Sequence, residues 1–234
     1  MEDGELARVL DEQIAYYRAR AGEYDEWFLR QGRYDRGPEA NARWFAEVET
    51  VARALEAFRP VGRVLELAAG TGLWTQRLAR HAARVTAVDS AGEALALNRQ
   101  RLGDSASVEY VEADVFAWRP AHPFDVIFFS FWLSHVPPER FAVFWDGVRQ
   151  SLAPGGRVFV IDSRYTQEST ARDHALGDSR ATRLTRRLND GRSYKIVKVF
   201  YEPHELEQRL AAQGWRAAIA TSGQFFLYGT AELV

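Results

Sequence analysis

The sequence has no cysteine, one methionine, and only two lysines, Lys195 and Lys198, among thirty basic residues. Without cysteine there can be no disulfide framework, no thiolate nucleophile and no Cys-ligated metal; no metal site is expected. The scarcity of lysine beside many arginines reads as codon bias in a GC-rich genome rather than as function. A basic excess is also missing. The formal net charge of -2 gives no reason to expect a nucleic-acid partner, although Arg180, Arg183, Arg186, Arg187 and Arg192 lie close together. Long apolar runs are absent too. The most apolar stretch, Val126 to Val136, is far shorter than the ~20 residues needed to cross a bilayer. Residues 1–20 are studded with Glu, Asp and Arg and cannot form a signal peptide's apolar segment. A soluble cytoplasmic protein, monomeric or homodimeric, is the default expectation.

What remains is the composition of an ordinary globule, 47% hydrophobic and 26% charged. At 234 residues the chain can bury one good core. Residues 1–58 read as an N-terminal helical cap. Leu6, Val9, Leu10 and Ile14 sit at helical spacing, and an aromatic-rich turn region follows from Tyr16 to Tyr34. Pro38 opens a second helix that places Trp44, Phe45, Val48, Val51, Ala52, Leu55 and Phe58 on one face.

From residue 59 the rhythm changes to strands alternating with helices. Strands are predicted at Arg63–Leu67, Val85–Asp89, Val108–Val111, Phe124–Phe129 and Arg157–Asp162. Helices are predicted from Gly72 to about Arg80, from Gly92 to Leu102, and over the stripe Phe141, Phe144, Trp145, Val148, Leu152, which stops at Pro154-Gly155-Gly156. Residues 163–200 interrupt the alternation with a polar stretch, the turn Asn189-Asp190-Gly191 and a strand from Tyr194 to Phe200. Pro203 then opens a helix that Gly214 closes, and two final runs, Trp215–Thr221 and Phe225–Ala231, suit an antiparallel hairpin. The implied architecture is α/β, a doubly wound and mostly parallel sheet.

Ligands of such sheets bind beyond the carboxyl ends of the strands. That rule nominates Gly70-Thr71-Gly72, Asp89, Asp114, the run Ser130 to His135, and Asp162 with Ser163. Glycines allow a tight turn and close approach of backbone to ligand. Asp89 can accept two ribose hydroxyls or cap the next helix, and Asp114 can cap a turn. Their occurrence at successive strand ends, where they converge, favours a cofactor site. A nicotinamide-binding Gly-x-Gly-x-x-Gly pattern is incomplete, because Thr75 stands in its third position.

Val64-Leu65-Glu66-Leu67-Ala68-Ala69-Gly70-Thr71-Gly72 resembles the first motif of class I S-adenosylmethionine-dependent methyltransferases. Val88-Asp89-Ser90 resembles the second and Glu112-Ala113-Asp114-Val115 the third; Phe124-Asp125-Val126-Ile127 and Leu152-Ala153-Pro154-Gly155-Gly156 resemble the next two. The resemblance covers residues 60–162 and implies a Rossmann-like, seven-stranded sheet with an antiparallel last strand. It implies S-adenosylmethionine as cofactor and S-adenosylhomocysteine as product. Ala68, Gly70 and Gly72 would cradle the methionine portion, with Glu66 organising the loop from beneath. Asp89 and Ser90 would take the ribose, Asp114 the adenine amino group, and Val115 the ring. Ser130 would border the same site, and Tyr17 and Tyr24 would close over it. Ala68 departs from the glycine common in the family.

Methyl transfer is an in-line displacement in which alignment and exclusion of water matter most. His135, after the fourth strand, is the candidate base for an acceptor that arrives protonated; its other reading is an anchor of the Pro137-Pro138 turn. Trp27, Phe131, Trp132, Arg164 and Tyr194 are candidate acceptor contacts, with 163–200 as a lid. The loop lacks the Asn/Asp-Pro-Pro-aromatic sequence of nucleic-acid amino methyltransferases, which favours a small-molecule O or N acceptor. A protein or RNA methyltransferase, or a NAD-dependent oxidoreductase, are the alternatives.

Overall fold

The short β-rich runs all become strands, and their order follows from the helices between them. The computed structural model describes residues 2–103 and 105–234, so the first residue of the expected cap lies outside the described residues. Strands β1 (Arg63–Leu67), β2 (Arg84–Asp89), β3 (Val108–Glu112), β4 (Phe124–Ser130) and β5 (Leu152–Ser163) pair in parallel. A separate hairpin, β6 (Arg183–Arg187) and β7 (Ser193–Val197), folds around Asn189-Asp190-Gly191. Two last strands, β8 (Trp215–Thr221) and β9 (Phe226–Leu233), rejoin the main sheet, with β9 antiparallel to both β5 and β8. The resulting seven-stranded order is β3-β2-β1-β4-β5-β9-β8. The chain reverses direction across the sheet between β1 and β4, which is where a ligand crevice opens.

Seven α-helices flank these strands among the described residues: α1 (Glu2–Arg20), α2 (Tyr24–Phe28), α3 (Pro38–Phe58), α4 (Thr75–Leu78), α5 (Gly92–Leu102), α6 (Phe141–Ser151) and α7 (Pro203–Ala211). The apolar run of β4 has partners on both faces of the sheet. Ile127 and Phe129 face the cluster of Phe144, Trp145, Leu206 and Leu210, while Val126 and Phe128 face Trp44, Val48 and Leu55. This is the two-sided burial of a parallel sheet.

Several boundaries differ from expectation for local reasons. The first helix continues through Tyr16 and Tyr17 to Arg20 instead of yielding to a turn at Tyr16. The helix after Gly72 amounts to one turn, Thr75–Leu78. Strand β5 starts at Leu152, paired with Phe124, and carries an irregularity in which Gly155 takes φ +75°. Phe45 is 42% exposed, because its neighbour Trp44 occupies the buried stripe about 100° away on the helix. Residues 1–58 also divide: α3 packs on the sheet as a core layer, while α1 and α2 lie across the crevice and α1 also packs against β7.

Candidate functional site

At the carboxyl end of β1 the backbone turns through three left-handed positions, Ala68 (φ +53°), Gly70 (φ +56°) and Gly72 (φ +89°). Glycine is required at 72. A Cβ there would lie 2.5 Å from Asn98 Oδ1, so the close approach of α5 depends on its absence. Ala68 holds a conformation that costs an L-residue roughly 1–2 kcal/mol. The turn is locked from beneath by Asp89. Its carboxylate accepts the Gly70 amide at 2.8 Å and the Ala91 amide, just ahead of α5, at 2.8 Å. Burial raises the Asp89 carboxyl and those amides oppose the rise. Thr75 is fully buried, its hydroxyl accepting from Asn98 at 2.8 Å, and so fills the slot a third glycine would leave open.

Above this turn lies a cavity that, with the solvent at its open mouth, encloses about 580 Å³. Ala68, Gly70, Asp89, Ser90, Val115 and Ser130 line it from the sheet edge, and Tyr17 and Tyr24 from the helices above. Arg18 fastens this roof by donating to the Ser90 carbonyl at 3.0 Å, and Thr71 donates to Asp25 of α2 at 2.5 Å. Asp114 lines an adjoining groove that shares Tyr17, Ser90, Val115 and Trp132 with the cavity. Glu66 and Gly72 lie below the surface. Glu66 is buried with Oε2 unpartnered, and burial pushes its carboxyl up to about 8 against a bond from Thr75.

A second cavity, of about 630 Å³, meets the first at a wall of Tyr17, Tyr24, Phe131 and His135. Phe131 has φ +54°, a conformation a bulky side chain adopts only under strain, and such strain gathers at functional sites. Its ring is held edge-on by Trp27 at 4.7 Å, and Trp27 donates from Nε1 to the Ser169 carbonyl at 2.7 Å. Arg20, Arg186 and Lys198 line the far side. Arg186 faces inward because strand alternation sends Arg183 and Arg187 outward, where they pair with Glu5 and Asp173. Lys198 donates to the hydroxyls of Ser134 and Ser163, both at 2.7 Å. Asp162 in turn receives the Ser134 and Ser163 amides at 2.8 and 2.7 Å, fixing the turn that carries His135.

His135 has both ring nitrogens engaged. Nδ1 lies 2.7 Å from the Val197 carbonyl, which can only accept, so Nδ1 carries the hydrogen. Nε2 therefore accepts the Tyr17 hydroxyl at 2.7 Å. Burial, and then the Lys198 charge, hold the imidazole well below its ordinary 6.5. The ring orients Tyr17 and ties the turn to β7.

Two expected acceptor contacts fall outside both cavities. Arg164 donates to the Gly223 carbonyl and lies 3.7 Å from Glu202, while Tyr194 packs its ring 5.7 Å from Tyr16. Trp132 borders the first cavity rather than the second. The cationic residues Arg20, Arg186 and Lys198 were not foreseen individually. The one available signal was Lys198 itself, one of two lysines in the chain. Among the described residues no cluster could hold a metal ion, and no helix is long and apolar enough to cross a membrane.

Comparison with known proteins gives a consistent result. Residues 64–156 match the family described as methyltransferase domain. The chain is similar to the solved structure of the DhpI–SAM–HEP complex, with 39% identity, 96% of this chain and 97% of that one covered, and a TM-score of 0.78. It is 41% identical over 102 residues to ubiquinone biosynthesis O-methyltransferase of Xylella fastidiosa, across 42% of this chain and 40% of that protein. It is 34% identical over 144 residues to trans-aconitate 2-methyltransferase of Streptomyces avermitilis, across 58% and 51% respectively. The matches to these two curated relatives thus span about half of their length or less.

Proposed function

The chain belongs to the class I S-adenosylmethionine-dependent methyltransferases, and on that footing we propose that it methylates an O or N atom of a small molecule. The observation that carries this reading is the pair of cavities sharing one wall: a cofactor cavity at the sheet edge and an acceptor cavity beyond it. The residues present fit the cofactor. No atom lies within 4 Å of where a Cβ on Gly70 would stand, so the cradle is open at the point of approach. Asp89 keeps unused lone pairs for hydroxyls, and Val115 and Ala94 supply apolar surface for a ring. When bound, S-adenosylmethionine supplies a sulfonium methyl with a neutral thioether leaving group.

The chain's own residues then do three things. Ala68, Gly70 and Asp89 hold the donor, with Glu66 supporting the loop from below and Asp114 in the adjoining groove. Tyr17 and Tyr24, set by His135 and by the end of α1, close the site from above. Phe131 and Trp27 narrow the passage between the cavities and exclude water. In this reading α1 and α2 act as a cap and 163–200 as a lid, the chain acts on a small molecule in the cytoplasm as a monomer or homodimer, and it has no nucleic-acid partner. The arginine cluster supports the last point, since Arg183, Arg187 and Arg192 are each paired with a carboxylate.

A screen of labelled methyl transfer from S-adenosylmethionine to small oxyanions, phenols, amines and thiols tests the reading. Turnover is expected with a small molecule. Labelling of RNA or protein in place of every small acceptor would overturn it.

A further inference from the structure

Arg20, Arg186 and Lys198 reach the second cavity from α1, from β6 and from just beyond β7, and no Asp or Glu lines it. Among the described residues neither guanidinium has a carboxylate within salt-bridge distance, whereas Arg33, Arg183, Arg187 and Arg192 all do. Lys198 has Asp162 at 3.7 Å. Three cations less that one anion leave two unmatched positive charges around the cavity. Arg20 is 8% exposed, sits against the rings of Tyr16 and Tyr24, and has no partner for Nε. Its other nitrogens donate to the Tyr16 and Tyr34 hydroxyls at 2.8 and 3.3 Å, which satisfies hydrogen bonds but supplies no counter-ion, and burying charge without one is costly.

The wall nearest the donor adds a second constraint. A neutral alcohol, a phenol or an ammonium would need a base at the reacting end. None is free there. His135 Nε2 is occupied by Tyr17, and burial raises the hydroxyls of Tyr17 and Tyr24, so they stay protonated.

We propose that the second cavity binds the acceptor through a compact oxyanion, a carboxylate, phosphate or phosphonate, and that an oxygen of this group is the nucleophile. The inference rests on the methyltransferase reading above. An anionic oxygen arrives with its lone pair available. It forms an O–C bond to the methyl as the C–S bond breaks, the electron pair leaves on sulfur, and no proton moves. Transfer removes one negative charge from the acceptor, which loosens the grip of Arg20 and Arg186 and promotes release of the ester. Burial lowers the Lys198 ammonium to about 8, with Asp162 opposing and Arg186 and Arg20 adding to the drop. A bound oxyanion would raise it again, so above pH ~8 binding takes up a proton and weakens.

The test is calorimetry on the full chain saturated with S-adenosylhomocysteine, using inorganic phosphate, methylphosphonate, succinate and, as neutral probe, phenol. At least one anion should bind while phenol does not. Arg186→Gln should weaken that anion roughly tenfold, about 1.4 kcal/mol. Arg186→Lys should recover most of the loss, Arg180→Gln should have no effect, and S-adenosylhomocysteine affinity should stay within about twofold in all three. Binding of phosphate or methylphosphonate alone identifies a phosphorus oxyanion as the source, and binding of succinate alone a carboxylate. Absence of anion binding to the loaded protein, or phenol binding as tightly, overturns the inference. Failure of S-adenosylhomocysteine to bind would instead overturn the function proposed above. The product gives an independent readout. A carboxylate ester releases labelled methanol in base and a phosphonate monoester does not, whereas a label on nitrogen or phenolic oxygen contradicts the assigned nucleophile.

Discussion

The two cavities share a wall but are built in opposite ways. The proposed donor cavity takes its floor from strand ends between residues 68 and 130, has Asp89 as its one carboxylate, and is ordered by the amides that this carboxylate gathers in. The proposed acceptor cavity is assembled from helix α1, the β6–β7 hairpin and the residues around it, and concentrates positive charge. The first is a property of the sheet and its register. The second exists only when segments well over a hundred residues apart meet, so it is the part free to differ between members of one fold.

Asp89→Ala should break the asymmetry most strongly. It removes the acceptor of two backbone amides and the expected hydroxyl partner together, so S-adenosylhomocysteine affinity should fall by roughly a hundredfold, about 2.7 kcal/mol. Anion binding in the second cavity, read by the same titration, should change little. A loss below threefold would detach Asp89 from the donor site.

The two halves also titrate with opposite signs. Glu66 has its folded pKa raised from 4.5 to about 8, so the stability it permits is full below pH ~4.5 and declines as pH rises toward 8. Lys198 has its pKa lowered from 10.5 to about 8, so the cost of its buried charge is present below 8 and relieved between 8 and 10.5. Glu66→Gln should flatten the decline between pH 4.5 and 8 by on the order of 1–2 kcal/mol in denaturant titrations, while leaving the alkaline limb. An unchanged decline would show that Glu66 is not the group responsible.

Smaller effects sharpen the wall between the halves. Tyr17→Phe leaves His135 Nε2 without its donor and should lower kcat about threefold to tenfold without moving cofactor affinity, whereas loss of a base relay would cost 10²–10⁴-fold, as roughly expected for acid–base catalysis. Smallest is Ala68→Gly. It exchanges left-handed strain for chain entropy and should raise stability by no more than about 1 kcal/mol. Clear destabilisation would mean the alanine methyl makes a contact that the strained backbone serves.

The same division governs what could be read from the sequence. The sheet was legible because each strand announces itself within a few residues; Gly70, Asp89 and Ser130 follow from position at strand ends, and Val115 from the family resemblance. Phe45 was misplaced because one residue of rotation separates core from solvent on a helix. Arg164 and Tyr194 belong to the right segment but do not line the cavity: Tyr194 shares a face of the hairpin with Arg186 and packs on Tyr16, while Arg164 turns to the Gly223 carbonyl, and neither contact has a local signal. The interplay of His135 with Tyr17 and Val197 depends on contacts 118 and 62 residues apart, for which no local pattern exists.

Calorimetric titration of the wild-type chain with S-adenosylmethionine, S-adenosylhomocysteine and NAD tests the cofactor assignment most directly. Both sulfur compounds should bind one to one, and NAD should give no heat of binding. Binding of NAD with neither sulfur compound bound would contradict it.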